Sequence, residues 1–136
     1  MDIKLFIGTV IDGNTSGTYV ITVYHNGNYL KLPANKVVSR ETKMTEHRLV
    51  LSAISDFLRI NKQREIDITI HTRCEEVVFE WTHEYKEDGA FSRQTKDLDI
   101  WKNICDAISG SDIKLSFKGG ESALTGIAFS KVKGKR

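Results

Sequence analysis

The sequence predicts a single α/β domain built on a five-stranded mixed β-sheet with helices on its faces. Three segments rich in β-forming residues come first, with short turns between them, and an amphipathic helix follows. Strand-like and helical segments alternate after that helix. Strands joined by tight turns pair antiparallel, whereas a strand reached through a helix pairs parallel to its neighbour. The predicted order of elements is therefore β-β-β-α-β-α-α-β-α.

The bulk composition is that of one globular domain. The chain has 136 residues, of which 40% are hydrophobic and 28% are charged, and its net charge of +2 identifies no partner. Its two cysteines, Cys74 and Cys105, form no CxxC pair, so neither a disulfide scaffold nor a structural zinc site is expected. Cys105 is predicted to be a buried thiol, because isoleucines surround it at helical spacing.

Nothing in the sequence predicts a membrane protein. The N-terminus lacks the pattern of a secretory signal, and no apolar run approaches the roughly 18 residues that a membrane span requires. We expect a cytoplasmic protein without membrane contacts. Residues 1–136 are expected to form one domain, and residues 131–136 a basic tail that can be disordered.

The N-terminal third predicts an antiparallel meander. Residues 3–10 and 18–25 are rich in β-branched and aromatic residues, and a turn cluster over residues 12–17 separates them. Asn26 and Gly27 favour a type I′ hairpin turn, because both of its central positions need positive φ. Residues 29–38 form the predicted third strand, in which Pro33 indicates a sheet edge or a bulge.

The hydrophobic period then changes from strand to helix. Over residues 45–60, Val50, Ile54, Phe57 and Leu58 follow the spacing of a helix that faces a core. Residues 66–72 form an isoleucine-rich strand, which we expect to pair parallel to residues 3–10.

The remaining elements alternate in the same way. Helices are predicted over residues 75–86 and 98–108, and Asp97 is well placed near the positive N-terminus of the second one. A strand over residues 113–117 and a helix over residues 122–132 complete the chain.

Four segments resemble the type 1 ribonuclease H family, in order and with similar spacing. Residues 45–51, T-E-H-R-L-V-L, resemble the T-N-N-R-x-E-L that opens the family's first helix. Residues 68–73, I-T-I-H-T-R, resemble the end of its fourth strand, which finishes T-D-S. Residues 96–101, K-D-L-D-I-W, resemble K-N-x-D-L-W, and residues 113–119 resemble the strand that ends V-K-G-H. The resemblance spans nearly the whole chain and implies the ribonuclease H fold.

The resemblance also implies that the family's metal site is lost. Family members hold two Mg²⁺ ions with four carboxylates, since Mg²⁺ is a hard cation that takes oxygen ligands. The corresponding positions here are occupied by Gly8, Val50, Arg73 and Thr125, and the family's loop histidine corresponds to Gly120. Arg73 would place a permanent positive charge where a dication binds. The implied protein is a degenerate, non-catalytic member without metal or cofactor.

An enzymatic alternative stays open. Other acids near turns and helix starts, namely Asp12, Glu46, Glu75 and Glu121, could form a relocated metal site in an atypical ribonuclease that acts on RNA–DNA hybrids. The four histidines show no metal-ligand spacing and are expected to be ordinary surface or edge residues: His25, His47, His71 and His83.

Two kinds of partner are also left open. Unselective, electrostatic binding of nucleic acid would use basic residues, and the candidates are Arg48, Arg73, Lys131, Lys133, Lys135 and Arg136. Against it, residues 75–99 hold eight acids and three bases, which repels phosphate. A protein partner or a homodimer is the other possibility, comparable to the degenerate connection domains of reverse transcriptases. We therefore predict a binding or assembly module rather than a nuclease.

Overall fold

The computed structural model describes residues 1–40, 42–85, 91 and 94–119. These residues hold six strands and three α-helices in the following order: β1 Asp2–Ile11, β2 Ser16–His25, β3 Asn28–Lys31, β4 Asn35–Val38, α1 Glu46–Ile60, β5 Glu65–His71, α2 Glu75–Phe79, α3 Leu98–Ile108 and β6 Asp112–Lys118. The predicted α/β class and the order of elements are confirmed over this part of the chain. The helix predicted for residues 122–132 and the basic tail lie outside the described residues.

The strands form one mixed sheet with the order β3-β2-β1-β5-β6, and β4 also pairs with β2. β1 and β2 are antiparallel, whereas β5 is parallel to both β1 and β6. Ile3 lies opposite Ile68, and Leu5 lies opposite Ile70. The prediction that the isoleucine-rich strand pairs parallel to the first strand is therefore confirmed.

The predicted count of five strands is wrong, because the third one is divided. Residues 29–38 form β3 and β4 with an interruption at residues 32–34, and both strands pair with β2. Pro33 lies in the interruption, where its missing N–H costs no ladder hydrogen bond. The turn before β3 has positive φ at Asn26 (50°) and Gly27 (81°), as the type I′ prediction requires.

Helix α1 has the predicted bounds and the predicted buried stripe. Thr45 caps it, since its hydroxyl accepts a hydrogen bond from the Arg48 backbone N–H at 3.1 Å. Val50, Ile54 and Leu58 are buried, as the helical spacing predicts.

The helix predicted for residues 75–86 departs from a regular α-helix. α2 ends at Phe79, and a π-helical turn continues the chain over Glu80–Tyr85. Two consecutive residues of this turn, Glu80 and Trp81, are both buried. A π turn places side chains differently from an α turn, so a strict 3.6-residue pattern does not anticipate this segment.

The core lies between the helices and one face of the sheet. It contains alternate residues of β1, β5 and β6, among them Ile7 and Ile70, together with the inner faces of α1 and α3. Trp81, Trp101 and Phe117 form its aromatic end, with ring centroids 5.2–6.1 Å apart. In the described part of the chain, no helix is both long and apolar enough to cross a membrane.

Cys105 is less buried than predicted. Cys74 is buried, whereas Cys105, which was expected to be buried, is only partly covered. Cys105 lies on α3 between Ile104, which is fully buried, and Ile108, which is half-buried. The thiol therefore lies at the border of the core and not inside it.

Candidate functional site

The positions that correspond to the family's metal site meet where β1, the start of α1 and the end of β5 come together. Side chains alternate along a strand, so Ile7 and Thr9 face α1, and Gly8 belongs to the opposite face of the sheet. Thr9 is buried, and its hydroxyl lies 3.5 Å from the Glu46 carboxylate on α1. On the α1 side, β1 therefore contributes a hydroxyl from Thr9.

The other two described positions contribute no ligand. Val50 is 1% exposed and packs in the core. Arg73 is exposed, two residues beyond the end of β5, and the buried residues beside it are Thr72 and Cys74. Burial raises the pKa of the Cys74 thiol to about 11, and the charge of Glu46 adds to the rise. The thiol is therefore protonated at neutral pH.

These side chains do not fit a pair of magnesium ions. The described family positions hold a glycine, a valine and an arginine, and the groups beside them are the Glu46 carboxylate, the Thr9 hydroxyl and the neutral Cys74 thiol. Mg²⁺ prefers several oxygen ligands in octahedral geometry. Across residues 1–40, 42–85, 91 and 94–119, no group of three or more His, Cys, Asp or Glu side chains could hold a metal ion. Thr125, the fourth position, lies outside this range, as do Lys131, Lys133, Lys135 and Arg136.

A buried charged cluster lies one turn along α1 from this junction. The ring of His47 is 3% exposed and bridges two carboxylates. Its Nε2 lies 2.5 Å from Glu80 of the π-helical turn, and its Nδ1 lies 2.7 Å from Asp97, which precedes α3. The indole N–H of Trp101 donates to the same Glu80 oxygen at 3.0 Å. The cluster therefore ties together three separate segments of the chain.

The geometry of the cluster favours the protonated form of His47. Burial alone lowers the pKa of the imidazole, but hydrogen bonds and opposite charges from Asp97 and Glu80 outweigh it and raise the pKa to about 9. The imidazolium can then donate from both nitrogens. Burial likewise opposes ionisation of Asp97, yet His47 and Arg48 hold its pKa below the ordinary value.

Arg48 extends the cluster to the surface. Its guanidinium donates to Asp97 at 2.8 Å and to Asp99 at 3.3 Å. This residue was a candidate for binding nucleic acid, and the structure pairs its charge with two carboxylates of the same chain. Asp97 adopts positive φ (53°) and makes no capping hydrogen bond to α3, although its position next to that helix was predicted correctly. Its carboxylate binds His47 and Arg48 instead.

The prediction that His47 is a surface or edge residue is wrong. His47 precedes Val50 by three residues and Leu51 by four, so it lies on the same helical face as the buried stripe. The position of His47 on this face therefore predicts that its side chain is buried. Its partners Glu80 and Asp97 are 33 and 50 residues away in the chain, and no local pattern connects them.

At the level of sequence, no protein-family model and no curated protein matches the chain. Solved structures do match it. The structure of LC9-RNase H1, described as a type 1 ribonuclease H with the type 2 active-site motif, is similar with a TM-score of 0.64 and 17% identity, over 96% of this chain and 69% of that one. The N-terminal ribonuclease H domain of a Mycobacterium tuberculosis protein is similar with a TM-score of 0.59 and 14% identity, over 94% of this chain and 93% of that one.

A third similar structure is a complex. The foamy viral protease-reverse transcriptase bound to an RNA/DNA hybrid matches with a TM-score of 0.56 and 14% identity, and the match covers 95% of this chain but 19% of the viral one. At these identities the likeness concerns the fold. The chain has a ribonuclease H-like fold, as the sequence resemblance predicts.

Proposed function

We propose that this protein is a ribonuclease H-like module that binds nucleic acid without cleaving it. The observation that carries the proposal is the composition of the junction between β1, α1 and β5. Gly8, Val50 and Arg73 stand at the family's described ligand positions, and the carboxylate that reaches β1 there is that of Glu46, which contacts Thr9. Two-metal hydrolysis needs carboxylates that hold both ions against the scissile phosphate.

The fold and the distribution of charge support nucleic acid as the partner. One protein of similar fold, the foamy viral protease-reverse transcriptase, is bound to an RNA/DNA hybrid in its structure. The acids of residues 75–99 are also less repulsive than their number suggests. Glu80 and Asp97 face His47 and Arg48, and Glu76 pairs with Lys96 at 3.2 Å. These charges are balanced within the chain.

A cleavage assay tests the proposed lack of activity. Purified full-length protein with Mg²⁺ or Mn²⁺ is expected to leave an RNA–DNA hybrid intact, because the metal-bridged route lacks its ligands. Glu46→Ala is the matched variant, since Glu46 is the carboxylate around which a relocated site would form. Metal-dependent cleavage by the wild type that disappears in Glu46→Ala would overturn the proposal and establish the atypical ribonuclease.

A protein-assembly module is the second candidate, and one observation favours it. The edge strands β3 and β4 expose Leu30 and Val38, each 61% accessible, and Ile11 at the end of β1 is 43% accessible. Apolar side chains on a sheet edge suit pairing with another chain. Sedimentation velocity over a range of concentrations distinguishes the candidates. A concentration-dependent dimer without affinity for any nucleic acid would favour assembly.

A further inference from the structure

In the described part of the chain, the helices cover one face of the sheet. The core contains Ile3, Leu5 and Ile7 of β1, and Trp81 and Trp101 pack against Phe117 of β6 on the same side. Residues at the alternate positions belong to the opposite face. Phe6, Val20 and Thr22 of that face are buried, whereas the residues nearer the start of β1 are exposed or half-buried. We call this exposed part the open face, and define it by Lys4, Tyr24, Tyr29, Thr69, Lys114 and Ser116.

Strand register places five of these residues in one row across the sheet. Tyr29 pairs with Tyr24, Tyr24 with Lys4, Lys4 with Thr69, and Thr69 with Ser116. The two tyrosine rings lie 4.8 Å apart, and the ammonium of Lys4 lies 5.4 Å from the centroid of the Tyr24 ring. Ser116 donates to Thr69 at 3.2 Å. The row combines aromatic rings, a cation and hydroxyl groups, and none of its five members is acidic.

A groove of about 720 Å³ follows this row. Lys4, Tyr24, Thr69 and Ser116 line it, and so does the neighbouring row of the sheet, in which Asp2 lies opposite Asp67 and Asp67 lies opposite Lys114. Lys4 and Lys114 are exposed, so an anion in solvent can reach both ammonium groups. Tyr29 is 55% exposed beside Tyr24, which leaves ring surface available for stacking.

A second observation shows that the basic groups act together on this face. His71 lies one row further along β5, stacked on Phe6 with centroids 4.5 Å apart. Burial lowers the pKa of His71, and the positive charges of Lys118 and Lys4 lower it further. The ammonium groups of two separate strands thus produce a positive potential at the same place.

We infer that the open face binds single-stranded nucleic acid, with unpaired bases stacked on Tyr24 and Tyr29 and phosphates held by Lys4 and Lys114. Aromatic side chains on a sheet stack unpaired bases of any sequence, and a basic groove follows the backbone. Asp2 and Asp67 can accept hydrogen bonds from sugar hydroxyls or base amino groups. This inference rests on the proposed function and specifies its surface and its ligand.

Fluorescence anisotropy with labelled RNA of roughly 12 nucleotides, a length within the range that such sites cover, tests the inference. The full chain is compared with Tyr24→Ser/Tyr29→Ser and with Lys4→Gln/Lys114→Gln. The tyrosine variant is expected to bind single-stranded RNA at least about fivefold more weakly, which corresponds to one lost stacking contact. The lysine variant should flatten the dependence of log Kd on log salt by about 1.4, at roughly 0.7 for each phosphate contact with a single strand.

Matched controls lie on the helical side of the molecule. Phe79 is 59% exposed and its ring lies 4.6 Å from that of His83, so Phe79→Ser removes a comparable exposed aromatic pair. Lys102 on α3 is exposed, and Lys102→Gln removes a comparable charge. Both controls should keep the wild-type affinity within about twofold, because neither residue belongs to the open face. Circular dichroism of every variant shows whether it is folded.

The outcomes separate the inference from the proposed function. If the wild type binds no RNA, DNA or hybrid, both fail. If it binds but folded open-face variants behave as the wild type does, the inference is wrong and the proposed function stands. Equal loss of single-stranded and hybrid binding in the tyrosine variant would also contradict the inference, because paired bases cannot stack on the tyrosines.

Discussion

His47 holds three segments of the chain together through charge. It contacts Glu80 and Asp97 while only 3% exposed, and each of its ring nitrogens faces a carboxylate. Burying a charged group is costly unless it is paired and hydrogen-bonded, and both conditions are met here. A neutral imidazole can donate from only one ring nitrogen, so one of its two contacts with carboxylates would lose its hydrogen. The stability of the fold therefore depends on the protonation of this residue.

The first prediction concerns pH. The folded-state pKa of His47, about 9, lies above the ordinary value of 6.5, so its stabilisation is present below pH 6.5 and lost as the pH rises towards 9. The free energy of unfolding should fall over this window by on the order of 2 kcal/mol, because the folded state gives up the proton that the cluster stabilises. Urea denaturation at a series of pH values measures it.

His47→Gln should be less stable at pH 6 and should lose most of this pH dependence. His83→Gln is the control, because His83 is exposed on the π-helical turn. An unchanged slope in His47→Gln between pH 6.5 and 9 would show that the cluster does not hold a proton in the folded state.

At the scale of elements, α1 packs directly on β2, and Gly17 permits the close contact. A Cβ added to Gly17 would overlap the side chain of Leu49, which is fully buried. Gly17→Ala is expected to lower the free energy of unfolding by about 1–3 kcal/mol, because the core has no room for the extra methyl group.

Chemical denaturation checks this, with Gly119→Ala as the control. A Cβ at Gly119 would lie 3.5 Å from Val78, which is ordinary contact, so that variant should be close to wild type. If both substitutions have equal effects, α1 does not pack on β2 as tightly as the structure indicates.

Most of the helices and strands could be predicted from the sequence. Strand alternation and the apolar stripe of α1 are local patterns, and they placed β1, β2, α1, β5, α3 and β6 correctly. Pro33 indicated an edge or a bulge but not that both halves of the third strand pair with β2, and the π-helical turn at Glu80 depends on backbone hydrogen bonding that residue types do not fix. The candidate site depends on longer distances, since Thr9 meets Glu46 and His47 meets Asp97 only after the sheet and helices have packed.

At the scale of the whole molecule, charge is distributed unevenly between surfaces. Lys4 and Lys114 lie on the open face beside Asp2 and Asp67, while the acids near α3 face His47 and Arg48. The sequence adds four further cations near its end, Lys131, Lys133, Lys135 and Arg136, which lie outside the described residues. The open-face lysines and the terminal cations can both contribute to the affinity for a polyanion. The slope of log Kd against log salt, measured with each set substituted in turn, gives the number of phosphate contacts that each set makes.

The last prediction therefore concerns the dependence of binding on salt. If the four terminal cations contact phosphates, changing them together to glutamine should flatten the dependence of log Kd on log salt by up to roughly 3 for a single strand and slightly more for a hybrid. The physical reason is that each contact releases a condensed counterion. Titrations of the full chain against single-stranded, duplex and hybrid oligonucleotides measure the slopes, and Lys102→Gln serves as the control. An unchanged slope would exclude the terminal cations from contact with phosphates. If the wild type shows no detectable binding to any oligonucleotide at low salt, protein assembly is the function left to test.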